Sequence, residues 1–213
     1  MKPLLLALTS LFVVKIALAQ YDPKALEILD AMSQKYKTIP VFEANISYTM
    51  VNEVEKIKEE FKGKITVKGD KFRLSMPEQE VINNGTTLWT YLPDAKEVNI
   101  DTYDPSSDDI NPSKIYDIYK KGFKYIYLKD EMEGGVLCEV IDLVPEKKHA
   151  QYFKIRMNIA KKDKSIKSWT MFDKGGNLYT YTINKFNPNI KVDDSFFTFD
   201  TSKHPGVEVI DLR

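Results

Sequence analysis

One cysteine and two histidines are all that 213 residues offer of the side chains that most often hold metals or serve as nucleophile and base. Cys138 alone rules out an intrachain disulfide framework and a cysteine-rich zinc site. It also lies far from the N-terminus, which excludes a lipid carried on an N-terminal cysteine. Within LCEVIDLVP it reads as a small buried strand residue. His149, in the lysine-rich EKKHAQ, and His204, before Pro205, read as loop residues, and neither stands at metal-ligand spacing. The chain lacks G-x-S-x-G, H-E-x-x-H, G-x-G-x-x-G and Walker motifs. Asp108-Asp109 and Asp193-Asp194 are adjacent in sequence, and chain neighbours usually point apart, whereas glycosidase carboxylates face each other across a bond. No catalytic residue, metal site or cofactor is therefore expected.

A net charge of one sign is missing too, since 31 basic residues balance 31 acidic ones. With no basic stripe interleaved with aromatics, nucleic acid is not an expected partner. The first residues carry Lys2, an apolar run from Leu4 to Val14 and small residues at Ala17 and Ala19. That pattern predicts a secretory signal peptide over residues 1–19, cleaved after Ala19. A membrane anchor would need about 20 apolar residues, and Lys15 interrupts this run. Losing Lys2 and Lys15 with the leader leaves residues 20–213 with a net charge of −2, as one soluble domain.

What is present is alternation. After the leader, YDPKALEILDAMSQKYKT predicts a helix with Asp22 as N-cap, Pro23 at the first position and Leu26, Leu29, Met32 and Tyr36 along one stripe. From Phe42 onward most of the chain has period two: VFEANISYTM, GKITVKG, KFRLSM, YFKIRMNIA and LYTYTI each place apolar residues at every second position. Asn84-Gly85 suits a tight primed turn, Pro93-Asp94 a type I turn, and Gly134-Gly135 and Gly175-Gly176 hairpin loops. About ten strands in an antiparallel meander follow from this reading. One interruption predicts a short inserted helix, with Asn111 as N-cap, Pro112 next, and Ile115, Tyr116, Ile118 and Tyr119 on its apolar side. The fold class is α+β, and a sheet of this size curls.

The strand TTLWTYL is apolar on both faces, with Trp89 and Tyr91 on one and Leu88 and Leu92 on the other. Core packing and a ligand cavity both account for such a strand, and composition does not separate them.

The block GKITVKGDKFRLSMPEQEVINNGTTLWTYLPDAKEVNI resembles the strand block of the LolA family, periplasmic carriers of outer-membrane lipoproteins, through Gly85, Leu88, Trp89, Tyr91 and Pro93. VIDLVPEKK, with Leu143 and Pro145, and the closing DDSFFTFDTSKHPGVEVIDLR, with Phe197, Phe199, Pro205 and Gly206, are similar to further family segments in the same order. The resemblance implies an incomplete β-barrel whose concave face is covered by the N-terminal helix and the inserted helix, leaving a hydrophobic cavity. It implies acylated lipoproteins as cargo, an inner-membrane lipoprotein-releasing ABC transporter complex as donor and an outer-membrane acceptor, with a monomer expected and no catalysis. The family commonly places a basic residue and a Pro after the strand that here reads ITVK, an Arg that helps hold the helical lid closed. This chain has Lys68-Gly69-Asp70, so Lys68 is the substitute at that place, without the planar fork of Arg.

Exposing three acyl chains of about fifteen methylenes each would cost about 36 kcal/mol at about 0.8 kcal/mol per methylene, so such cargo needs continuous shielding. Ile46, Tyr48, Met50, Ile65, Val67, Leu74, Trp89 and Tyr91 are expected to line the cavity from the sheet, and Leu29 and Ile118 from the helices. On that reading Ile65→Asp abolishes cargo binding and spares the fold. The alternative is a periplasmic module of the same fold that senses lipids or lipoproteins, expected to carry an extra domain or a membrane anchor. A periplasmic hydrolase would need a nucleophile and base that the sequence does not supply.

Overall fold

The computed structural model describes residues 21–105, 110–147 and 150–213. The predicted leader, Asp108-Asp109 and His149 lie outside the described residues.

Asp22 starts the first helix, α1 (Pro23–Lys37), as its composition predicts. Its Oδ1 accepts from the Lys24 and Ala25 amides at 2.9 and 3.4 Å, and Pro23 fills a position whose N–H would be unpaired. The buried stripe is Ala25, Ile28, Leu29, Met32 and Tyr36. Leu26, expected on that stripe, is exposed, because at 100° per residue it lies off the axis that Ala25, Ile28 and Leu29 share.

Among the described residues twelve strands follow, all in one sheet. The first six are β1 (Val41–Asn52), β2 (Ile57–Lys68), β3 (Lys71–Ser75), β4 (Glu80–Asn83), β5 (Thr87–Leu92) and β6 (Glu97–Thr102). The rest are β7 (Phe123–Glu133), β8 (Val136–Pro145), β9 (Tyr152–Ala160), β10 (Ile166–Asp173), β11 (Asn177–Pro188) and β12 (Glu208–Asp211). Two more strands form than the roughly ten expected; the four-residue β4 and β12 are too short to show alternation.

The spatial order is β12-β6-β5-β4-β3-β2-β1-β11-β10-β9-β8-β7. Neighbours are antiparallel except β12, which runs parallel to β6. Two meanders are thus joined where β11 returns beside β1, over an eleven-residue register from Phe42 to Asn52 with one shift at Asn45/Ile46. The sheet is curved and unclosed, with β12 and β7 as its free edges, which makes an incomplete barrel. The chain passes from β6 to the far edge strand β7 through the inserted helix, a 3-10 helix over Pro112–Lys120.

Turn chemistry sets the hairpins. Gly134 and Gly135 both have positive φ, +55° and +79°, the pair of conformations a two-residue primed turn requires. Asn84-Gly85 departs from the expected tight turn. β4 and β5 are joined by three residues, with Asn83 Oδ1 accepting from the Gly85 amide at 2.7 Å and Asn84 Oδ1 from the Thr87 amide at 2.9 Å. These side-chain acceptors replace the short backbone turn.

α1 is pinned to the edge strand by the same residue that caps it. Asp22 Oδ2 accepts from the Tyr127 amide at 2.9 Å, and the Asp22 amide donates to the Tyr125 carbonyl at 3.2 Å. The Tyr127 hydrogen bond, helped by the helix amides and Lys24, holds the Asp22 carboxyl below the usual carboxylate range. A lowered folded pKa gives stability that is complete above the unfolded value of about 4 and is lost as pH falls through the folded value. Asp22→Ala is therefore expected to lower unfolding free energy by about 1 kcal/mol at pH 7. The difference from the parent should shrink at pH 3, as read by urea denaturation at the two pH values.

Candidate functional site

Strand pairing decides which side chains share a face. Ala44 of β1 lies opposite Ile65 of β2, which lies opposite Leu74 of β3, which lies opposite Val81 of β4. Two residues along each strand, Phe42, Val67 and Phe72 form a second row. With Ile46 these rows meet Leu29, Met32 and Tyr36 of α1 and Ile115, Ile118 and Tyr119 of the inserted helix in one apolar cluster, on the concave face. Of the residues expected to line a cavity, Leu29, Ile46, Ile65, Val67 and Ile118 are buried there, and Leu74 packs against them half-buried.

Tyr48 and Met50 continue the same face of β1 and are only half-buried. The Tyr48 ring lies 5.0 Å from Tyr181, 6.3 Å from Tyr179 and 6.1 Å from Phe61. Tyr181 in turn stacks on Trp169 of β10, with centroids 4.9 Å apart and planes 8° from parallel. Cross-strand register explains the run, because Tyr48 faces Tyr181, Tyr181 faces Trp169, and Trp169 faces Met157. An aromatic path therefore leads from a half-open rim into the covered core. Burial pushes the Tyr181 hydroxyl up to about 12, so it stays protonated. Trp169 is 7% exposed, and its indole Nε1–H has no hydrogen-bond partner among the described residues. A buried donor left unpaired costs about 1–3 kcal/mol. Nothing in the alternation of SWTMF reveals that.

Trp89 and Tyr91 are the correction. Trp89 lies opposite Ile82 and Ile100, and Tyr91 opposite Val98, on the outer face. There they pack with Ile82, Val98, Phe197 and Phe199 in a second cluster. It is Leu88 that packs against the concave cluster. Period two says that the faces differ, and only the packed sheet says which is which. The missed signal is FFTF in the C-terminal segment, whose alternating aromatics need an apolar surface to cover.

That segment is fastened by charge. Arg73 makes a two-pronged pair with Glu80 at 2.8 and 2.6 Å and donates through Nη1 to the Phe196 carbonyl at 3.0 Å. Lys68 and Lys71 both reach Asp194 at 2.8 Å. Those lysines hold the Asp194 carboxyl down at about 2. Lys68 therefore holds the C-terminal segment on the outer face and is not a substitute latch for the helices. His204 lies between Phe199 and Tyr91, at 4.5 and 4.6 Å, as a packing ring. Cys138 is buried, and burial pushes its thiol up to about 11. A cleft of about 810 Å³, with Glu43, Thr66, Arg73 and Lys203 among its walls, lies beside this segment and is mixed in charge.

The helical cover has its own fastenings. Lys114 of the inserted helix reaches Asp70, in the β2–β3 turn, at 2.6 Å. That hydrogen bond raises the Lys114 ammonium above its ordinary value. Asp117 accepts from Ser33 at 2.6 Å and pairs with Lys37 at 3.2 Å, Tyr119 donates to Asp30, and Tyr116 stacks on Tyr36 at 5.5 Å. The two helices are thus tied to each other by polar contacts; α1 is fastened to the sheet by Asp22, by Lys35, which reaches Asp163 at 2.6 Å, and by the Tyr36 hydroxyl, which accepts from the Ile166 amide at 3.1 Å, and the inserted helix is fastened by the Lys114–Asp70 ion pair.

Lys114→Ala should speed amide exchange across residues 112–120 and leave residues 193–199 unchanged, with Lys68→Ala giving the reverse, as read by hydrogen–deuterium exchange. Ile65 is packed between Ala44 and Leu74, so the fold-sparing role expected for Ile65→Asp is revised. The buried carboxylate is predicted to cost of the order of 3–5 kcal/mol in a denaturant titration.

No curated protein sequence matches this one. Among solved structures, the chain is similar to an uncharacterized conserved protein from Thermus thermophilus, with a TM-score of 0.59 at 12% identity over 88% of this chain and 99% of that one. It is also similar to LprF from Mycobacterium bovis, with a TM-score of 0.52 at 11% identity over 82% and 98%. At such identities the likeness is one of fold. The family model described as outer membrane lipoprotein carrier protein LolA matches residues 37–200, which span both meanders and the inserted helix. The chain belongs to the LolA family.

Proposed function

We propose that this protein is a periplasmic carrier that shields lipoprotein acyl chains against its concave face and moves them from the inner to the outer membrane. On this reading residues 1–19 direct export, residues 20–213 form the carrier domain, and the work is binding and release without catalysis. An inner-membrane lipoprotein-releasing ABC transporter complex supplies the cargo and an outer-membrane acceptor removes it. Family membership supports the class of cargo.

One observation carries the reading: a half-exposed rim of Tyr48, Met50, Phe61 and Tyr179 is continuous with the apolar cluster under the two helices. In the closed form Leu29, Met32 and Tyr36 of α1 supply the apolar contacts that the sheet needs. Acyl chains supply contacts of the same non-directional kind, so chains and helix faces compete for one surface. Each chain of about fifteen methylenes is worth about 12 kcal/mol of shielding at about 0.8 kcal/mol per methylene, far more than one exposed ion pair such as Lys114–Asp70. Release is possible because the helices re-cover the face as cargo departs.

The test uses a synthetic triacylated lipopeptide and Tyr48→Asp, a charge placed at the half-exposed rim. Binding measured by fluorescence anisotropy should weaken at least tenfold while the thermal midpoint stays near that of the parent. A parent protein that binds no lipopeptide overturns the reading. Native mass spectrometry of protein from its own envelope separates a carrier, with co-purifying lipoprotein, from a sensing module holding phospholipid alone.

A further inference from the structure

We infer that the indole Nε1–H of Trp169 is the donor that receives the ester carbonyl of an acyl chain, fixing how deeply cargo sits on the concave face. The inference rests on the carrier reading and adds the one polar contact by which an acyl head is told apart from a plain hydrocarbon.

Three observations lead there. Trp169 is 7% exposed, and its Nε1 has no partner among the described residues. Its ring is held by stacking on Tyr181 at 4.9 Å and 8°, so the N–H direction, which lies in the ring plane, is fixed. Its cross-strand neighbours are Tyr181 on one side and Met157 on the other, and beyond Met157 comes Ile141, which is fully buried.

Burial thus rises along a single row of the sheet. Tyr48 stands half-buried on β1, Trp169 lies two strands along at 7% exposure, and Met157 and Ile141 beyond it are fully buried. Neighbouring strands are about 4.8 Å apart, which puts the indole about 10 Å from the rim. A cargo molecule laid along this row has its polar head at Tyr48 and its methylenes over Met157 and Ile141. The atoms between head and methylenes are the ester group, whose carbonyl oxygen is an acceptor. A methylene chain offers none, so the donor is idle against hydrocarbon and satisfied by an acyl ester. An apolar pocket with a single placed polar group is the usual way such sites fix orientation.

The experiment uses ¹⁵N-labelled Trp89→Phe protein, in which Trp169 is the remaining tryptophan and gives a single indole N–H resonance. Trp89 lies on the outer face, away from this row. The probes are a synthetic lipopeptide with two ester-linked chains on its glyceryl group and its counterpart with the same chains linked by ethers. The ester form is expected to bind about fivefold tighter, the scale of one neutral hydrogen bond, and to move the indole resonance downfield, whereas the ether form binds without moving it. Trp169→Phe should bring ester and ether forms to equal affinity, and a fivefold ester preference that survives it overturns the inference. Equal affinities with an unmoved resonance overturn the inference and leave the carrier reading standing. Failure of both lipopeptides to bind overturns the carrier reading and this inference with it.

Discussion

The pairing of β1 with β11 governs the rest of the molecule. It joins a meander that grows outward from β1 to a second one that grows back toward it, and so makes one unclosed sheet whose outermost strands are β12 and β7. A barrel that closed would bury its interior by its own curvature. This sheet leaves a broad apolar face to be covered by something that is not a strand, and α1 and the inserted helix supply the cover. The crossing from β6 to β7 is what places the inserted helix over that face.

The two faces are secured differently. On the outer face the C-terminal segment packs Phe197 and Phe199 with Trp89 and Tyr91 and is locked by Arg73 with Glu80 and by two lysines on Asp194. On the concave face the helices bring a long apolar stripe; polar ties join them to each other through Asp117, Ser33, Lys37, Tyr119 and Asp30, and join α1 to the sheet through Asp22, Lys35 and Tyr36. Contacts made within the cover move with it. Apart from Lys114–Asp70, contacts between the inserted helix and the sheet are largely apolar and non-directional, which is the kind an acyl chain can replace.

The unpaired indole of Trp169 belongs to the same pattern. A carrier surface made wholly of hydrocarbon would hold any chain at any depth. A donor set two strands in from the rim gives that surface a reference point without adding the rigid polar network that would hinder release.

Much of the fold was legible in the chain. Asp22-Pro23 and Asn111-Pro112 mark helix starts because capping chemistry is local, and Gly134-Gly135 marks a hairpin because positive φ is a property of the residue. Leu26 and the Asn84-Gly85 turn depart from the local pattern because a packing axis and a side-chain acceptor override it. The site was legible only by halves. Alternation put Ile46, Tyr48 and Met50 on one face and Trp89 opposite Leu88, yet period two has no sign and cannot say which face is concave. Strands, turns and pairs of faces follow from the order of residues, since these depend on neighbours along the chain. Tertiary structure alone decided that Trp89 and Tyr91 lie beneath the C-terminal segment and that Asp70 rather than Lys68 meets the inserted helix. It likewise decided that Trp169 keeps an unused donor, because each of these depends on which distant segment arrives on which side of the sheet.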